Sequence, residues 1–356
     1  MAGLSLARSL ERQGVHYRLL EARPRFGGRI ETYRAASGAA YDLGPAWFWP
    51  GQPRIAALIS DLGLEVFAQQ AEGAGRYEDA RGRVQEGQGF ASMAGAYRLV
   101  GGLSELTSRL AEGLSGEGLT LDARVTALRR AGGRITVDYL ERGKANQIEA
   151  GQVVLALPPR LVAEGIALSP ALPAEACEAL RNLPTWMAGQ AKLLLLYDRP
   201  FWRQAGLSGD AMSQVGPLGE IHDASPADGG PSALFGFVGL PAAARRDPDA
   251  LVAQAVAQVG RIFGPEALTP RDAILRDWAR DADTAMPLDQ VPLTAHPTYG
   301  LPVALRNQWD GRLLFGSTEV APQFGGYLEG ALEASDAALA SLTAVRPLPD
   351  RRTADR

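Results

Sequence analysis

The sequence contains one cysteine, Cys177, in 356 residues. An intramolecular disulfide is therefore excluded, which fits a reducing, cytoplasmic location. Cys177 stands in a helical run rich in Ala, Glu and Leu, where packing accounts for it. Histidine is nearly as scarce. His16, His222 and His296 are scattered without metal-ligand spacing, so no metal is expected. His16 reads as a strand residue, and His296 precedes a proline. Long apolar runs are missing too. No stretch approaches the ~18 residues of a membrane span; Leu193 to Leu196 reads as a short buried strand. No basic stripe is present and the net charge is −4, so no nucleic-acid partner is expected. The amino terminus lacks a basic region followed by an apolar block, so no secretory leader is expected.

What the chain does have begins at its first residues. A helical pattern from Ala2 to Leu10 stops at Gly14, and a strand-like run, Val15 to Leu20, closes on Glu21. That is the second half of a dinucleotide-binding βαβ unit. Gly3 sits where the third glycine of Gly-x-Gly-x-x-Gly belongs, the one that lets helix and strand pack closely. Glu21, 18 residues after Gly3, is near the ~20-residue spacing of an acid that grips an adenosine ribose. The unit's first strand and first two glycines are expected upstream of Met1. A generic βαβ unit with an acidic strand end is the competing reading. Against it stands Gly27-Gly28-Arg29. Paired glycines let backbone approach a ligand, and a guanidinium there matches pyrophosphate oxygens.

Further blocks follow in order: Asp42-Leu43-Gly44-Pro45-Ala46-Trp47, Gly101-Gly102-Leu103, Val153 to Pro159, Gln190-Ala191-Lys192-Leu193 followed by Asp198 to Trp202, and Phe315 to Glu319 with Gly326 to Ala331. Together with Glu21 to Arg29 they resemble the flavin-containing amine oxidase family over nearly the whole chain. The resemblance implies an α/β fold, in which an FAD-binding Rossmann-like domain, its first strand missing, is interleaved with a mixed-sheet α+β substrate domain. The expected FAD domain comprises residues 1–66, 98–162 and 293–345. The substrate domain comprises 67–97 and 163–292, and 346–356 reads as a disordered tail. Within these, the pattern predicts helices at Pro53 to Leu62, Ala174 to Leu183 and Pro248 to Phe263. It predicts strands at Val125 to Leu128, Ile135 to Leu140, Val153 to Leu157, Ala191 to Tyr197, Phe235 to Val238 and Ala273 to Trp278.

The resemblance also implies site residues. Non-covalent FAD is expected against Gly3, Glu21, Ala22 and Arg23, against Gly27, Gly28 and Arg29, and against Gly44, Pro45, Ala46 and Trp47. Val125, Trp278, Ser317, Thr318, Glu319, Tyr327 and Leu328 complete the expected set. Lys192 matches the lysine that holds a water beside the flavin and assists its reaction with oxygen. Its alternative is a lysine snorkelling from a strand end to solvent. Tyr327 matches an aromatic wall at the flavin face, or simply packs at a helix entry. Trp47 and Trp278 either line the pocket or belong to the core. No Tyr, Phe or Trp falls in 282–288, where the opposing wall is sought. Ser317 and Pro45 replace the glycines usual at their positions. The short interval from Asp42 to Gly101 predicts a pocket less enclosed than in larger relatives. The implied activity is oxidation of a small amine to an imine with electron transfer to oxygen, giving hydrogen peroxide. A flavoprotein desaturase, a protoporphyrinogen-oxidase-like enzyme and a non-catalytic remnant are the alternatives.

Overall fold

The computed structural model describes residues 1–87, 93–227, 229–291, 293 and 295–344. The expected disordered tail lies outside the described residues. The chain divides into two compact units, one of residues 1–26, 110–185 and 297 onward, the other of 27–109 and 186–296.

In the first unit, Ala2–Arg12 is helical and buries Ala2, Leu4, Leu6, Ala7 and Leu10 along one stripe. Leu6 and Leu10 pack on Ala338 of the long helix Leu328–Ala344. Strand Leu19–Leu20 pairs in parallel with Leu119–Thr120. The expected strand from Val15 is confined to these two residues, because its partner offers only two; His16 lies outside the ladder. A Cβ on Gly3 would lie 3.0 Å from Leu19 Cδ1 and 3.6 Å from Ala156 Cβ, so glycine sets the close approach of helix to strand. A second parallel pair joins Val153–Leu155 to Leu313–Phe315. A four-stranded sheet runs in the order Lys144–Ala150, Arg134–Glu141, Ala123–Ala131, Ala167–Ser169. Its first strand, largely exposed and polar, carries no apolar alternation and is held by its pairing with Arg134–Glu141.

The second unit is built on seven strands, in the order Asp272–Asp277, Ala191–Tyr197, Ser232–Val238, Leu218–Asp223, Leu207–Ser213, Ala74–Glu78, Val84–Gly87. Every residue of Ala191–Tyr197 is buried. One sheet face, with Leu193 and Leu195, packs on Leu251, Ala255 and Val259 of the helix Pro248–Phe263. That helix has the ends its sequence predicts: the Asp247 side chain accepts from Ala250 N at 3.0 Å, Pro248 opens the first turn, and Gly264 ends it at φ 104°. The other face, with Leu194, Leu196 and Phe235, packs on Tyr41 and Leu43.

The units divide the chain at other points than the expected domains. The hairpin Thr32–Arg34 and Ala40–Asp42 goes with the seven-stranded sheet, because Tyr41 and Leu43 share that core. Residues 163–185 go with the first unit, because Ala176 and Leu180 pack with Leu128 and Leu313.

Candidate active site

Lys192 is the most unusual group of the second unit. It faces inward from a fully buried strand and is itself 3% exposed. Its Nζ donates to the carbonyls of Asp42 and Gly44, each at 2.9 Å. Below it lies the ring of Phe235, 4.1 Å from Nζ to the centroid, with the rings of Trp47 and Phe237 at 5.9 and 5.8 Å. Burial pushes the Lys192 ammonium down to about 7, against the pull of the Asp42 carboxylate and with the push of Arg98. Aromatic faces offset part of the desolvation of a cation. The snorkelling alternative is overturned: Nζ ends on two backbone carbonyls inside the unit.

The carbonyls that receive Lys192 are placed by the glycine blocks. A Cβ on Gly44 would lie 1.9 Å from the Arg29 carbonyl oxygen, so the Asp42-to-Trp47 loop presses directly on the Gly27-Gly28-Arg29 turn. Gly27 and Gly28 have φ of 114° and 60°, which glycine adopts freely. Asp42 is held from the other side. Its Oδ1 accepts from Thr32 Oγ1 at 2.6 Å and from Leu103 N at 2.8 Å, and burial raises its carboxyl above the usual range. Gly102 allows this contact, since a Cβ there would fall 2.4 Å from Thr32 Cγ2. Four of the sequence blocks thus meet within one unit.

Trp47 is partly exposed, and its Nε1 donates to Gln69 Oε1 at 2.8 Å. Ala46 is buried, Pro45 half-buried. Trp278 is 5% exposed, donates from Nε1 to Leu43 O at 3.0 Å, and carries the Arg276 guanidinium 4.1 Å over its ring. Arg29 reaches Trp186 O at 3.4 Å.

In the first unit, Glu21 follows the carboxyl end of a parallel strand, where α/β sheets bind ligands. Glu21 Oε1 accepts from Arg23 N at 2.9 Å, while Glu21 O and Arg23 O accept from Ala123 N and Asp122 N. These bonds fix the turn through Ala22. Val125 sits on the adjoining strand, packed against the apolar core. Around Glu319 the chain is buried: Ser317 is 3%, Thr318 7% and Glu319 0% exposed. Thr318 Oγ1 donates to Tyr327 O at 2.8 Å, and Leu328 opens the long helix. Tyr327 is 37% exposed.

The residues fit a flavin nucleotide on one observation in particular. Ser317 Oγ is buried with no hydrogen-bond partner in the protein, a costly state that a polar ligand atom relieves. Among the described residues, no group of three or more His, Cys, Asp or Glu is arranged to hold a metal.

Sequence reasoning missed the aromatic rings under Lys192. They come from the strand Ser232–Val238, whose alternation puts Ala233, Phe235 and Phe237 on one face. Only the register Lys192 to Phe237 shows that this face is the lysine's. Also missed was His222, 1% exposed, with Nδ1 2.7 Å from Asp210 Oδ1 and Nε2 2.8 Å from Glu220 Oε1.

The model of the family described as flavin containing amine oxidoreductase matches residues 1–90 and 79–338. The probable flavin-containing monoamine oxidase A of Dictyostelium discoideum is 28% identical over 66% of this chain and 51% of its own length. The chain thus spans about half of that relative. The putative flavin-containing monoamine oxidase AofH of Mycobacterium tuberculosis is 28% identical over 97% of this chain and 95% of its own length. Among solved structures, the cyclohexylamine oxidase of Brevibacterium oxydans has a TM-score of 0.81 at 19% identity, covering 96% of each chain, and so shares the fold. With its glycine blocks, its buried lysine and a family match over nearly its whole length, the chain belongs to the flavin containing amine oxidoreductase family.

Proposed function

We propose that this protein is an FAD-dependent amine oxidase that converts a small amine to an imine, passes the electrons to oxygen and releases hydrogen peroxide. The observation that carries the reading is Lys192: a lysine inside an apolar sheet, seated on two carbonyls and an aromatic ring. Burial of this kind is kept where a cation has a task, since an unpartnered one is costly. FAD would be held without a covalent bond, and bound there it supplies the two-electron acceptor for the carbon next to the amine nitrogen. Glu21, Ala22 and Arg23, with Gly3 behind them, would hold its adenosine end. Gly27, Gly28 and Arg29 would serve the pyrophosphate; Ser317, Thr318 and Glu319 the ribityl region. Gly44, Pro45, Ala46 and Trp47, with Val125, Trp278, Tyr327 and Leu328, are the remaining cofactor contacts of this reading.

The chain's own groups then have defined tasks. Lys192, titrating near 7, can hold a water through the N–H its two carbonyl bonds leave over, and can place positive charge where oxygen is reduced. Tyr327 would form one wall for the amine. No described helix is long and apolar enough to cross a membrane; the proposed setting is the cytoplasm. The test is hydrogen peroxide release from the FAD-loaded protein across a panel of amines, amino acids and polyamines, with carotenoid and porphyrinogen controls. Flavin reduction by a control substrate and by no amine rejects the reading in favour of a desaturase-like or porphyrinogen-oxidising enzyme.

A further inference from the structure

Of the three aromatic rings around Lys192 Nζ, two belong to the strand Ser232–Val238, which the sheet holds on both sides. The third, Trp47, comes from the loop between the strand Ala40–Asp42 and the helix Pro53–Asp61. Its ring lies 5.9 Å from Nζ and is partly exposed, while Lys192 is 3% exposed. The loop's backbone is tied one residue further on, where Phe48 N donates to Tyr97 O at 3.1 Å and Tyr97 N to Phe48 O at 2.8 Å. That bridge does not set where the Trp47 ring points. Side chains do.

The polar atom of the indole is its N–H, a donor only. It donates to Gln69 Oε1 at 2.8 Å. Gln69, 6% exposed, follows the strand Val66–Ala68, and its backbone N–H donates to Ala96 O at 2.9 Å. Its Nε2 donates to Asp223 O at 2.8 Å and to Gln70 O at 3.2 Å. Two carbonyls on the nitrogen side leave the amide one orientation. A flip would set its oxygen against both carbonyls and its NH2 against the indole N–H. Asp223 is fixed in turn, because its buried carboxylate accepts from Trp202 Nε1, Arg203 Nε and Ser225 N. The indole thus hangs from a fixed point of the sheet, tilted against Phe235 at 5.2 Å, with His222 edge-on at 5.1 Å.

We propose that Gln69 is a positioning residue that holds Trp47 closed beside Lys192, so that the ring keeps bulk water from the amine. Gln69 acts through Trp47. Without this hydrogen bond the indole N–H has no partner in its closed position, and an unmade bond there is costly. The ring then turns outward to water, and water enters the space it leaves. The consequence for oxygen reduction rests on the amine-oxidase reading; the shielding of Lys192 does not.

The test uses the full, FAD-loaded chain. It has two lysines, Lys144 and Lys192, so isotope labelling at lysine Cε gives two NMR signals, which Lys144→Arg assigns. In the wild type the Lys192 signal should titrate near 7. Gln69→Met keeps the side chain's length and loses its hydrogen bonds. It should raise the midpoint by about one pH unit or more, since rehydration favours the ammonium. The charged groups around Lys192 are Asp42, Arg98, Arg276 on the adjoining strand and His222 behind Phe235. The variant retains all four, so the shift reports water. Trp47→Phe, which lacks the N–H, should raise the midpoint likewise, and adding Gln69→Met to it should raise it no further. Additive shifts overturn the proposal. So does an unmoved midpoint in Gln69→Met or, should that variant not fold, in Trp47→Phe. In stopped flow, the pH at which the oxygen reaction slows should move with the NMR midpoint. A midpoint that moves without the oxygen rate supports the cover and counts against a part for Lys192 in oxygen reduction.

Discussion

Lys192 Nζ stands 4.1 Å from the centroid of the Phe235 ring, while the strand partner of Lys192 is not Phe235 but Phe237. The side chain therefore leans along its strand by one pleat, over a ring that belongs opposite Leu194. That lean brings Nζ to the carbonyls of Asp42 and Gly44. A neutral amine also has two N–H groups, so both bonds survive loss of the proton.

From this seat follows a pH dependence. Lys192 is an ammonium below about 7 and an amine above it. The reaction of the reduced enzyme with oxygen should slow as pH rises through that value, because the positive charge is lost. Lys192→Met should slow this half-reaction by about a hundredfold, flatten its pH profile, and change flavin reduction much less. Stopped-flow measurement of each half-reaction checks it; an unchanged oxygen rate leaves Lys192 structural. Stability has its own sign. With the folded value at about 7 and the unfolded value near 10.5, the unfolded chain binds more protons between them. Wild-type stability should rise with pH across that window relative to Lys192→Met.

Gly44 shows how tightly two sequence blocks are joined. Its missing Cβ makes room for the Arg29 carbonyl, a backbone atom that cannot swing aside. Gly44→Ala should cost about 1–3 kcal/mol as an overpacked site and displace the carbonyl that receives Lys192. Thermal unfolding and flavin absorbance per chain should both fall; an unchanged pair of values contradicts the contact.

Much of this was legible in the sequence. The helix Pro248–Phe263 announces both ends through Asp247, Pro248 and Gly264. Lys192 stands out as one charge at the head of an apolar strand. Its partners do not, because they are backbone carbonyls 148 and 150 residues away. The strands Leu207–Ser213 and Leu218–Asp223 carry Gly, Ser, Asp and His where apolar alternation is sought, and are held by their sheet neighbours. For the same reason His222 reads as one of three scattered histidines, and only the strand pairing brings it together with Asp210 and Glu220.

Their grouping makes a second prediction about pH. Burial alone would lower the His222 pKa, but the hydrogen bonds to Asp210 and Glu220 outweigh it and raise the value above 6.5. A raised histidine contributes stability that is fully present below its unfolded value and is lost as pH rises through the folded one. His222→Gln should therefore lower Tm most at pH below about 6.5, with the gap to wild type narrowing as pH rises. A gap that widens with pH would show that the buried ring is neutral.

Tyr327 supplies the sharpest separation of binding from catalysis. Its backbone is held in place by the fold: Thr318 Oγ1 donates to its carbonyl at 2.8 Å, and its own N–H donates to Phe324 O at 3.1 Å. Ala331 N also donates to the Tyr327 carbonyl, at 3.2 Å. The residue is 37% exposed, so the ring adds little to the core. Removing the ring should therefore spare the turn that leads into the helix Leu328–Ala344. If the ring serves as an amine wall, Tyr327→Ala should lose about tenfold in kcat/KM toward amines, the effect of one partly desolvated cation–π contact of about 1–2 kcal/mol. Flavin content and Tm should stay near wild type, and Tyr327→Phe should restore most of the activity, because the aromatic face and not the hydroxyl is at work. Loss of flavin together with activity would show that the ring's contact with the cofactor, and not its place as an amine wall, dominates. Unchanged kinetics with a lowered Tm would make it a packing residue.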